Sequence, residues 1–420
     1  MNHLLQQEGE KKAISCLVLL FFGFFLNQSG SIFGLNISIT DVFFLVLITG
    51  LIFTSNFVMK SGFFLFFILI STVGLFSATF YAPIIFPIHT SGYDIVTNFI
   101  KFIVVFLYMV LGYNIARLKY GQLVITAFSY GGVLIGLIGI ILTTTPLDVF
   151  HDLFYYESSR FKGLMNDPNY YAVIQVAITA CIVNNKRLSK WMKSILCALL
   201  IVSILVSGSK TGFISLILYF VFKIAENMMI GKNKISSVAV LLTIALVVLV
   251  NPLSYVSVFI NKLSSSIPIL FRISNLLSNP IEAASSGGSG RTEIWMASLN
   301  MIEKSPIVGV GFGTFTDIMQ VYRGSGEVAH NTYIQIIAEW GILFSGMTIT
   351  YILFLLVKIY AIGNFAAESH IAKDIVIILL IGSLGISLNN SRLLWFFIGM
   401  LIFYATSKVG VHLKRKGVGG

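Results

Sequence analysis

Charged residues are scarce in this sequence. Only 11% of its 420 residues are charged and 56% are apolar, whereas about a quarter of an ordinary soluble domain is charged. This composition excludes a soluble globular protein and predicts an integral membrane protein that crosses the bilayer repeatedly. Because the bilayer holds no water to pair with the backbone, each crossing segment is expected to be a helix.

Cysteine is scarce as well. The three cysteines, Cys16, Cys181 and Cys197, all lie in apolar stretches, and the chain has no CxxC motif or Cys/His group. A disulfide framework and a zinc site are therefore not predicted. The Gly-x4-Gly-Lys-Ser/Thr signature of ATP binding is also missing, which argues against an ATP-driven pump.

The chain consists instead of apolar stretches long enough to cross the ~30 Å core of a bilayer. We predict an all-α polytopic membrane protein with about twelve transmembrane helices and a large, partly helical outer loop between spans nine and ten. Ionisable residues are almost absent from these spans. The predicted spans are 13–34, 37–56, 62–81, 95–116, 122–143, 169–184, 193–207, 211–227, 235–250, 332–357, 371–388 and 392–407.

Three regions are expected on this basis. An N-terminal transmembrane bundle, with spans one to nine, covers residues 1–250 and carries an outer loop at 144–169. The large outer loop covers residues 251–331. Residues 332–420 hold spans ten to twelve and a basic cytoplasmic tail.

Basic residues outnumber acidic ones, 28 to 17. Most lie in the two termini and in the connections on one side of the spans, so the positive-inside rule places both termini in the cytoplasm. The net charge of +11 is then a topology signal that also attracts anionic membrane lipids, and no nucleic-acid partner is predicted. The other basic residues oppose the rule, so we expect several of them to bind an anion. They are Lys101, Arg160, Lys162, Lys210, Lys262, Arg272, Arg291, Lys304, Arg323 and Arg392.

The first outer loop contains the segment NDPNYYA at residues 166–172. Asp167–Pro168 predicts a turn followed by a helix that has the proline near its first position. The amides of Asn166 and Asn169 are candidates for the recognition of hydroxyl groups.

The large loop ends in a helix and a glycine-rich turn. Residues 292–304 have helical character, and Ser305–Pro306 is expected to end that helix. The run GVGFG at 309–313 predicts a tight turn that requires permissive backbone angles. A nucleotide-binding loop is disfavoured because no strand precedes the glycines, whereas an approach of their amides to a ligand phosphate stays open.

Four basic residues of the outer loops are candidates for diphosphate binding. An arginine fork such as that of Arg291 recognises phosphate oxygens through two hydrogen bonds and keeps its charge. Arg160, Lys162 and Lys210 add positive charge from other segments. Each residue alone is equally well explained as an anchor to lipid head groups, but the set on one face is better explained by a diphosphate at the bilayer surface.

His330 is the candidate proton acceptor. Its side chain is neutral over much of the physiological pH range and accepts a proton from a hydroxyl group. A simpler interpretation, an interfacial histidine that makes a local hydrogen bond, stays open. Asn331 follows it directly, and Glu339 lies in the predicted tenth span.

Three separated motifs resemble one group of proteins. They are FKGLMNDPNYYA, then SGSKTG, then the set GRTEIW, SPIVGVGFGTF and HNTYIQIIAEWGI. In this order and topology the chain resembles the O-antigen polymerase/O-antigen ligase superfamily, the Wzy-type and WaaL-type proteins. The motifs cover about residues 158–345, and the preceding part resembles the family only in hydropathy.

The resemblance implies a metal-independent glycosyltransferase that needs no cofactor. Members move a glycan from undecaprenyl diphosphate onto an acceptor sugar hydroxyl at the periplasmic side of the bacterial inner membrane. The implied catalytic residues are Arg291 and His330. Lys210 takes the place of a membrane-edge arginine, so the charge is kept but the fork is lost. Undecaprenyl-diphosphate-linked oligosaccharide is the implied partner, together with membrane lipids and, as a further candidate, a chain-length regulator protein. Candidate glycan-binding residues are Asn166, Asn169, Arg323, Asn331 and Glu339.

Polymerase and ligase are the closest alternatives. Polymerases carry a His followed by a Gly after ten intervening residues, which His330 and Gly341 match. They also carry an Arg with a Gly at the same spacing, which Arg291 does not match because position 302 is Ile302. We favour a polymerase of O-antigen or a related surface polysaccharide over a ligase that transfers the glycan to lipid A–core. A lipid-linked glycan flippase or transporter is disfavoured because such proteins carry charged residues inside their spans.

Overall fold

The computed structural model describes residues 15–29, 37–145, 150–157, 160–230, 271, 272, 274, 291–362 and 367–407. Helices dominate this part of the chain. They are α1 (Ser15–Phe25), α2 (Ile39–Phe53), α3 (Ser61–Ile85, with a π-helical turn at Ser77–Tyr81), α4 (Gly92–Arg117), α5 (Gly121–Thr144), α6 (His151–Phe154), α7 (Pro168–Asn184), α8 (Lys190–Val206), α9 (Lys210–Ile230), α10 (Arg291–Lys304), α11 (Thr314–Arg323), α12 (Thr332–Ile362), α13 (Ala367–Gly382) and α14 (Arg392–Thr406). A two-stranded antiparallel sheet, β1 (Tyr155–Tyr156) and β2 (Arg160–Phe161), lies between α6 and α7.

The helices are those of a membrane protein. Among the described residues, five are long and apolar enough to cross a bilayer: α3, α4, α5, residues 210–228 of α9 and residues 332–360 of α12. Three shorter apolar helices, α1, α2 and α14, accompany them. Every predicted span except 235–250 overlaps a helix. The ninth predicted span and residues 251–270, 273 and 275–290 of the predicted loop lie outside the described residues, so twelve spans and the three regions stay predictions.

The core of the bundle is aromatic and aliphatic. Tyr108 of α4, Tyr171 of α7, and Phe396 and Phe397 of α14 are all fully buried in it. The two tyrosines use their hydroxyls inside the core: that of Tyr108 donates to Asp41 (2.8 Å) and that of Tyr171 pairs with Ser203. Burial of each hydroxyl is therefore compensated by a hydrogen bond.

A network of four ionisable residues lies inside the bundle, so the prediction of nearly charge-free spans is wrong here. Lys223 and Glu226 of α9 face Lys373 and Asp374 of α13. The Nζ of Lys223 lies 2.6 Å from Glu226 Oε2 and 3.0 Å from Asp374 Oδ2, and Lys373 pairs with both acids. Two positive and two negative charges compensate one another, which makes their burial tolerable. The partners are far apart in sequence, so the pairing could not be predicted from the spans alone.

The helix α12 breaks at Gly341, where φ is 73° and ψ is 170°. The turn after α10 fills this break: Val310 N donates to Ala338 O (2.8 Å), Gly311 N to Glu339 O (2.9 Å), and Ile342 N to Pro306 O (2.8 Å). The backbone groups released by the break are therefore paired, as an apolar environment requires.

The predicted helix and turn before α12 are confirmed. The helix α10 ends at Lys304, just before Ser305–Pro306, and the three glycines of GVGFG all have positive φ angles. The amides of Val310 and Gly311 are bound to α12. They are consequently not available to a ligand phosphate, and that alternative is wrong for these two groups.

Replacing Gly341 by alanine should destabilise the protein. A Cβ at this position would lie 2.0 Å from Ile307 O, and φ is in the left-handed region, which alone costs about 1–3 kcal/mol. Gly346 is the matched control because a Cβ there meets nothing within 4 Å. We expect thermal unfolding in detergent to show a lower midpoint for Gly341→Ala and no decrease for Gly346→Ala. Equal midpoints for the two variants would contradict the packed break.

Candidate active site

The start of α7 is built by the predicted turn. Asp167 is the N-cap, and its Oδ1 accepts from Asn169 N (2.7 Å) and Tyr170 N (3.0 Å), while Pro168 occupies the first turn. The predicted turn and helix start are confirmed. This cap holds the side chain of Asn169 at the end of the bundle where α7 begins.

Arg160 joins the first predicted loop to the SGSKTG segment. It is 8% exposed, its Nε donates to Ser207 O (3.3 Å), and its Nη2 donates to Asn169 Oδ1 (3.1 Å). The hydroxyl of Ser209 donates to the same Asn169 oxygen at 2.9 Å. Two motifs that are about forty residues apart therefore meet at one point, where Lys210 begins α9.

The start of α12 rests on the connection between α13 and α14. Thr332 N donates to Ser383 O (2.8 Å), and the Thr332 hydroxyl donates to Ile386 O (2.8 Å). Asn331 caps the helix through Tyr333 N (3.0 Å) and Ile334 N (3.1 Å), and its Nδ2 donates to Leu384 O (3.2 Å). Asn331 is thus fully engaged in the backbone, and its predicted part in glycan binding stays untested.

The connection also explains why α13 ends earlier than predicted. The helix runs from Ala367 to Gly382, whereas the predicted span ran from 371 to 388. The carbonyls beyond Gly382 accept hydrogen bonds from α12 instead of continuing the helix. Hydropathy alone does not show whether an apolar segment continues a helix or forms a non-helical connection that bonds to a neighbouring helix.

His330 lies directly before this cap with φ of 49°. Its side chain is half-buried, and its imidazole makes no hydrogen bond within the described part of the chain. Burial and the positive charge of Arg291 lower the pKa of His330, while Asp167 and Glu327 raise it to a smaller extent. The imidazole is therefore neutral at pH 7 and able to accept a proton.

Arg291 begins α10, whose first turns are tied to the segment before His330. Trp295 Nε1 donates to Ala329 O at 2.9 Å. The Nε of Arg291 is buried and has no hydrogen-bond partner among the described residues. A buried guanidinium nitrogen without a partner is costly unless a ligand supplies the acceptor.

Two residues that sequence reasoning left out of the site act on most of its charges. Arg272 is an electrostatic neighbour of Arg160, Lys210 and Arg291. Asp167 acts on Arg160, Arg291 and His330. The only sequence signal for Arg272 is its position among the basic residues of the outer side, and the sequence predicts Asp167 only as part of a turn before a helix.

We call Arg160, Lys210, Arg272 and Arg291 the cationic cluster. Burial lowers the pKa of Arg160 to about 10, and that of Arg291 is lowered for the same reason; Arg272 contributes in both cases. Two acids oppose these effects, Asp167 and, at Arg160, Glu157. Four cations against two acids leave an excess of positive charge, which suits a polyvalent anion.

Other candidates are not joined to the cluster by any hydrogen bond or ion pair in the described part of the chain. The side chain of Lys162 makes no such contact, and Asn166 is exposed, with only its backbone N bonded, to Ser29 Oγ (3.2 Å). Arg323 pairs with Glu327 (3.3 Å) and Glu293 (4.0 Å). The parts of these three residues in binding stay predictions.

Glu339 lies deeper in the bundle than His330. Seven residues of helical rise, about 10 Å, separate Glu339 from Thr332 at the start of α12, and His330 lies before that helix. The carboxylate accepts from Gln335 Nε2 (2.8 Å) and from Asn389 Nδ2 (3.5 Å). It therefore does not lie beside His330, although both belong to the same predicted motif.

These features define a polytopic membrane protein with a cationic cluster and a neutral histidine at one end of its helix bundle. The family model Wzy_C, described as O-antigen ligase, matches residues 195–346. This region, and with it Lys210, Arg272, Arg291 and His330, belongs to the O-antigen polymerase/O-antigen ligase superfamily, as the motifs predicted. Comparison with curated proteins and with solved structures gives no match.

Removing the charge of Arg291 should raise the pKa of His330. Arg291 is the largest electrostatic cause that lowers this pKa, so Arg291→Gln favours the protonated imidazole. Histidine-selective NMR titration in detergent should show the His330 midpoint moving to higher pH. Lys304→Gln is the control, because Lys304 is not among the charges that act on His330. An unchanged midpoint in Arg291→Gln would contradict the arrangement of α10 and α12.

Proposed function

We propose that this chain is a glycosyltransferase that polymerises undecaprenyl-diphosphate-linked oligosaccharide repeat units into O-antigen or a related surface polysaccharide. The observation that carries the proposal is the cationic cluster near His330, since Lys210, Arg272, Arg291 and His330 all lie within the residues that match the family model. We place the reaction at the periplasmic face of the bacterial inner membrane, with both termini in the cytoplasm. The distribution of basic residues supports this orientation.

The cationic cluster is proposed to hold the donor diphosphate. Arg291 and Arg272 supply guanidinium groups, and Lys210 supplies a point charge at the start of α9. Arg160 is already bonded to Ser207 and Asn169, so its main part is to hold the SGSKTG segment in place while adding charge. These groups also stabilise the negative charge that develops on the leaving diphosphate, which is the largest electrostatic demand of the reaction.

His330 is proposed to activate the acceptor. The acceptor sugar hydroxyl oxygen forms a bond to the anomeric carbon of the donor, and the bond from that carbon to the diphosphate oxygen breaks. The electron pair of the broken bond stays on undecaprenyl diphosphate, and the hydroxyl proton moves to the imidazole and then to water. Half-burial of His330 and the charge of Arg291 keep the imidazole neutral before the reaction, as a base requires.

An apolar groove is proposed to hold the polyprenyl tail. It has a volume of about 790 Å³ and lies between α3, α4, α12 and α14. Phe66, Phe102 and Trp395 are among its lining residues. Trp395 Nε1 donates to Asn389 O at 2.7 Å, so the groove adjoins the same connection on which the start of α12 rests. When the polyprenyl tail occupies the groove, its diphosphate would lie near the end of the bundle that carries His330.

Two alternatives keep specific support. An O-antigen ligase would use the same donor and base, and the description of the matched family favours it; the spacing of His330 and Gly341 favours the polymerase. The buried network of Lys223, Glu226, Lys373 and Asp374 favours a flippase or transporter. Those charges are paired with one another, so a structural role accounts for them without a moving ion.

His330→Ala should abolish glycan transfer while expression and membrane insertion persist. Purified wild-type protein with lipid-linked repeat units should produce a glycan ladder without nucleotide or added metal, whereas a flippase would produce none. A ligase would need lipid A–core as acceptor. The control is His89→Ala, because His89 is exposed and makes no hydrogen bond in the described part of the chain. Normal polymer length in His330→Ala would refute the assigned base.

Lys210 should contribute charge to donor binding. Lys210→Gln removes that charge and should raise the KM for the lipid-linked donor about tenfold, in line with the loss of one charge-assisted hydrogen bond. Lys210→Arg keeps the charge and restores the fork, so its KM should equal or fall below that of the wild type. Steady-state kinetics over donor concentration measures both. An unchanged KM in Lys210→Gln would remove Lys210 from the donor site.

A further inference from the structure

A second polar cavity opens at the same end of the bundle. We call it the side recess. It has a volume of about 40 Å³ and lies between the outer ends of α1, α2, α7 and α14. Its polar lining comprises Gln28, Ser29, Thr40, Tyr170, Asn390, Ser391 and Arg392. Hydroxyls, two amides and a guanidinium from four separate parts of the chain therefore converge on one small space.

The side recess adjoins the cationic cluster through the start of α7. Tyr170 lines the recess and its hydroxyl pairs with Ser391 Oγ at 2.6 Å. The preceding residue, Asn169, binds Arg160 at 3.1 Å on the cluster side. A ligand whose diphosphate lies on the cluster thus has the recess within reach of its neighbouring groups.

The side recess and the cationic cluster differ in net charge. Arg392, the charged residue that lines the recess, has its Nε 2.7 Å from Asp41 Oδ1. The other carboxylate oxygen of Asp41 accepts from Ser38 N at 2.8 Å. The positive charge at the recess is therefore matched by a negative one, whereas the cationic cluster has an excess of positive charge. A second phosphate is disfavoured at the recess, and an uncharged polar group is favoured.

Asn390 has unused hydrogen-bonding capacity. Within the described part of the chain its side-chain amide makes no hydrogen bond, although it lines the recess. An amide offers two donors and one acceptor carbonyl, which is the pattern that recognises a hydroxyl or an acetamido group. The recess exceeds the roughly 10–15 Å³ that a cavity needs to hold one water molecule and is far smaller than the apolar groove of about 790 Å³, so it suits a small substituent of a sugar.

We propose that the side recess is a glycan-recognition subsite that binds one uncharged substituent, a hydroxyl, hydroxymethyl or acetamido group, of a sugar in the lipid-linked oligosaccharide. Asn390 is its specificity-determining residue. The inference rests on the proposed function, because it assumes a glycan attached to the diphosphate. The recess would determine which sugar the chain accepts, and this specificity is separate from the binding of diphosphate.

The test separates glycan binding from diphosphate binding. Purified full-length chain in lipid nanodiscs is titrated with two probes: the oligosaccharide repeat unit released from its carrier, and undecaprenyl diphosphate without a glycan. Asn390→Ala should lower the affinity for the oligosaccharide about fivefold, which corresponds to the loss of about one hydrogen bond. It should leave the affinity for undecaprenyl diphosphate unchanged. Lys210→Gln should show the reverse pattern. Asn98→Ala is the matched control, because the Asn98 amide donates to Asp94 O within α4 and should leave both affinities unchanged.

The outcomes distinguish the two claims. Equal affinity of Asn390→Ala and wild type for the oligosaccharide overturns the subsite and leaves the proposed function standing if the wild type still forms a ladder. The same holds if the wild type forms a ladder without measurable affinity for the free oligosaccharide. Failure of the wild type to form any ladder, with or without lipid A–core, overturns the proposed function and the subsite together.

Discussion

The positions of His330 and Arg291 depend above all on the hydrogen bonds of the α12 backbone, at the start of the helix and at its break. At its start, Thr332 and Asn331 bond to the connection between α13 and α14. At Gly341, the glycine-rich turn supplies amides to the freed carbonyls of Ala338 and Glu339. In an apolar medium no water is present to bond to these backbone groups, so each must find a partner within the protein. They hold His330 at the end of the bundle and bring α10, with Arg291, against it.

Three groups of charged residues in the described part of the chain differ in how far their charges are compensated. Deep in the bundle, two lysines and two acids of α9 and α13 compensate one another. At the side recess, Arg392 is matched by Asp41. At the cationic cluster positive charge exceeds negative charge, and the guanidinium Nε of Arg291 is buried without a partner in the described part of the chain. Of these three arrangements, only the third lacks compensating charge, which is why we propose that the diphosphate binds there.

Short-range features were predictable because neighbouring residues determine them. Asp167–Pro168 starts a helix through a cap and a fixed φ angle, and Pro306 marks the end of α10 for the same kind of reason. The motifs also brought together Arg291 and His330 as candidates of one family. Other candidates were predicted from residue type alone, and the structure does not join them to the cluster. Lys162 makes no side-chain contact with the cluster among the described residues. Arg323 pairs with acids, and Glu339 lies deeper along α12.

Long apolar stretches and local caps depend only on neighbouring residues, so the sequence was sufficient to predict a helical membrane protein. Its motifs predicted the resemblance to the polymerase/ligase superfamily that the family match over residues 195–346 supports. Which charges meet depends on the packing of the helices. Asp167 and Arg272 act on the site, Arg160 binds Ser207 and Asn169, and Lys223 pairs with Asp374. Each of these contacts joins segments that are distant in the chain, and their energies depend on burial and separation. Neither quantity exists until the helices pack.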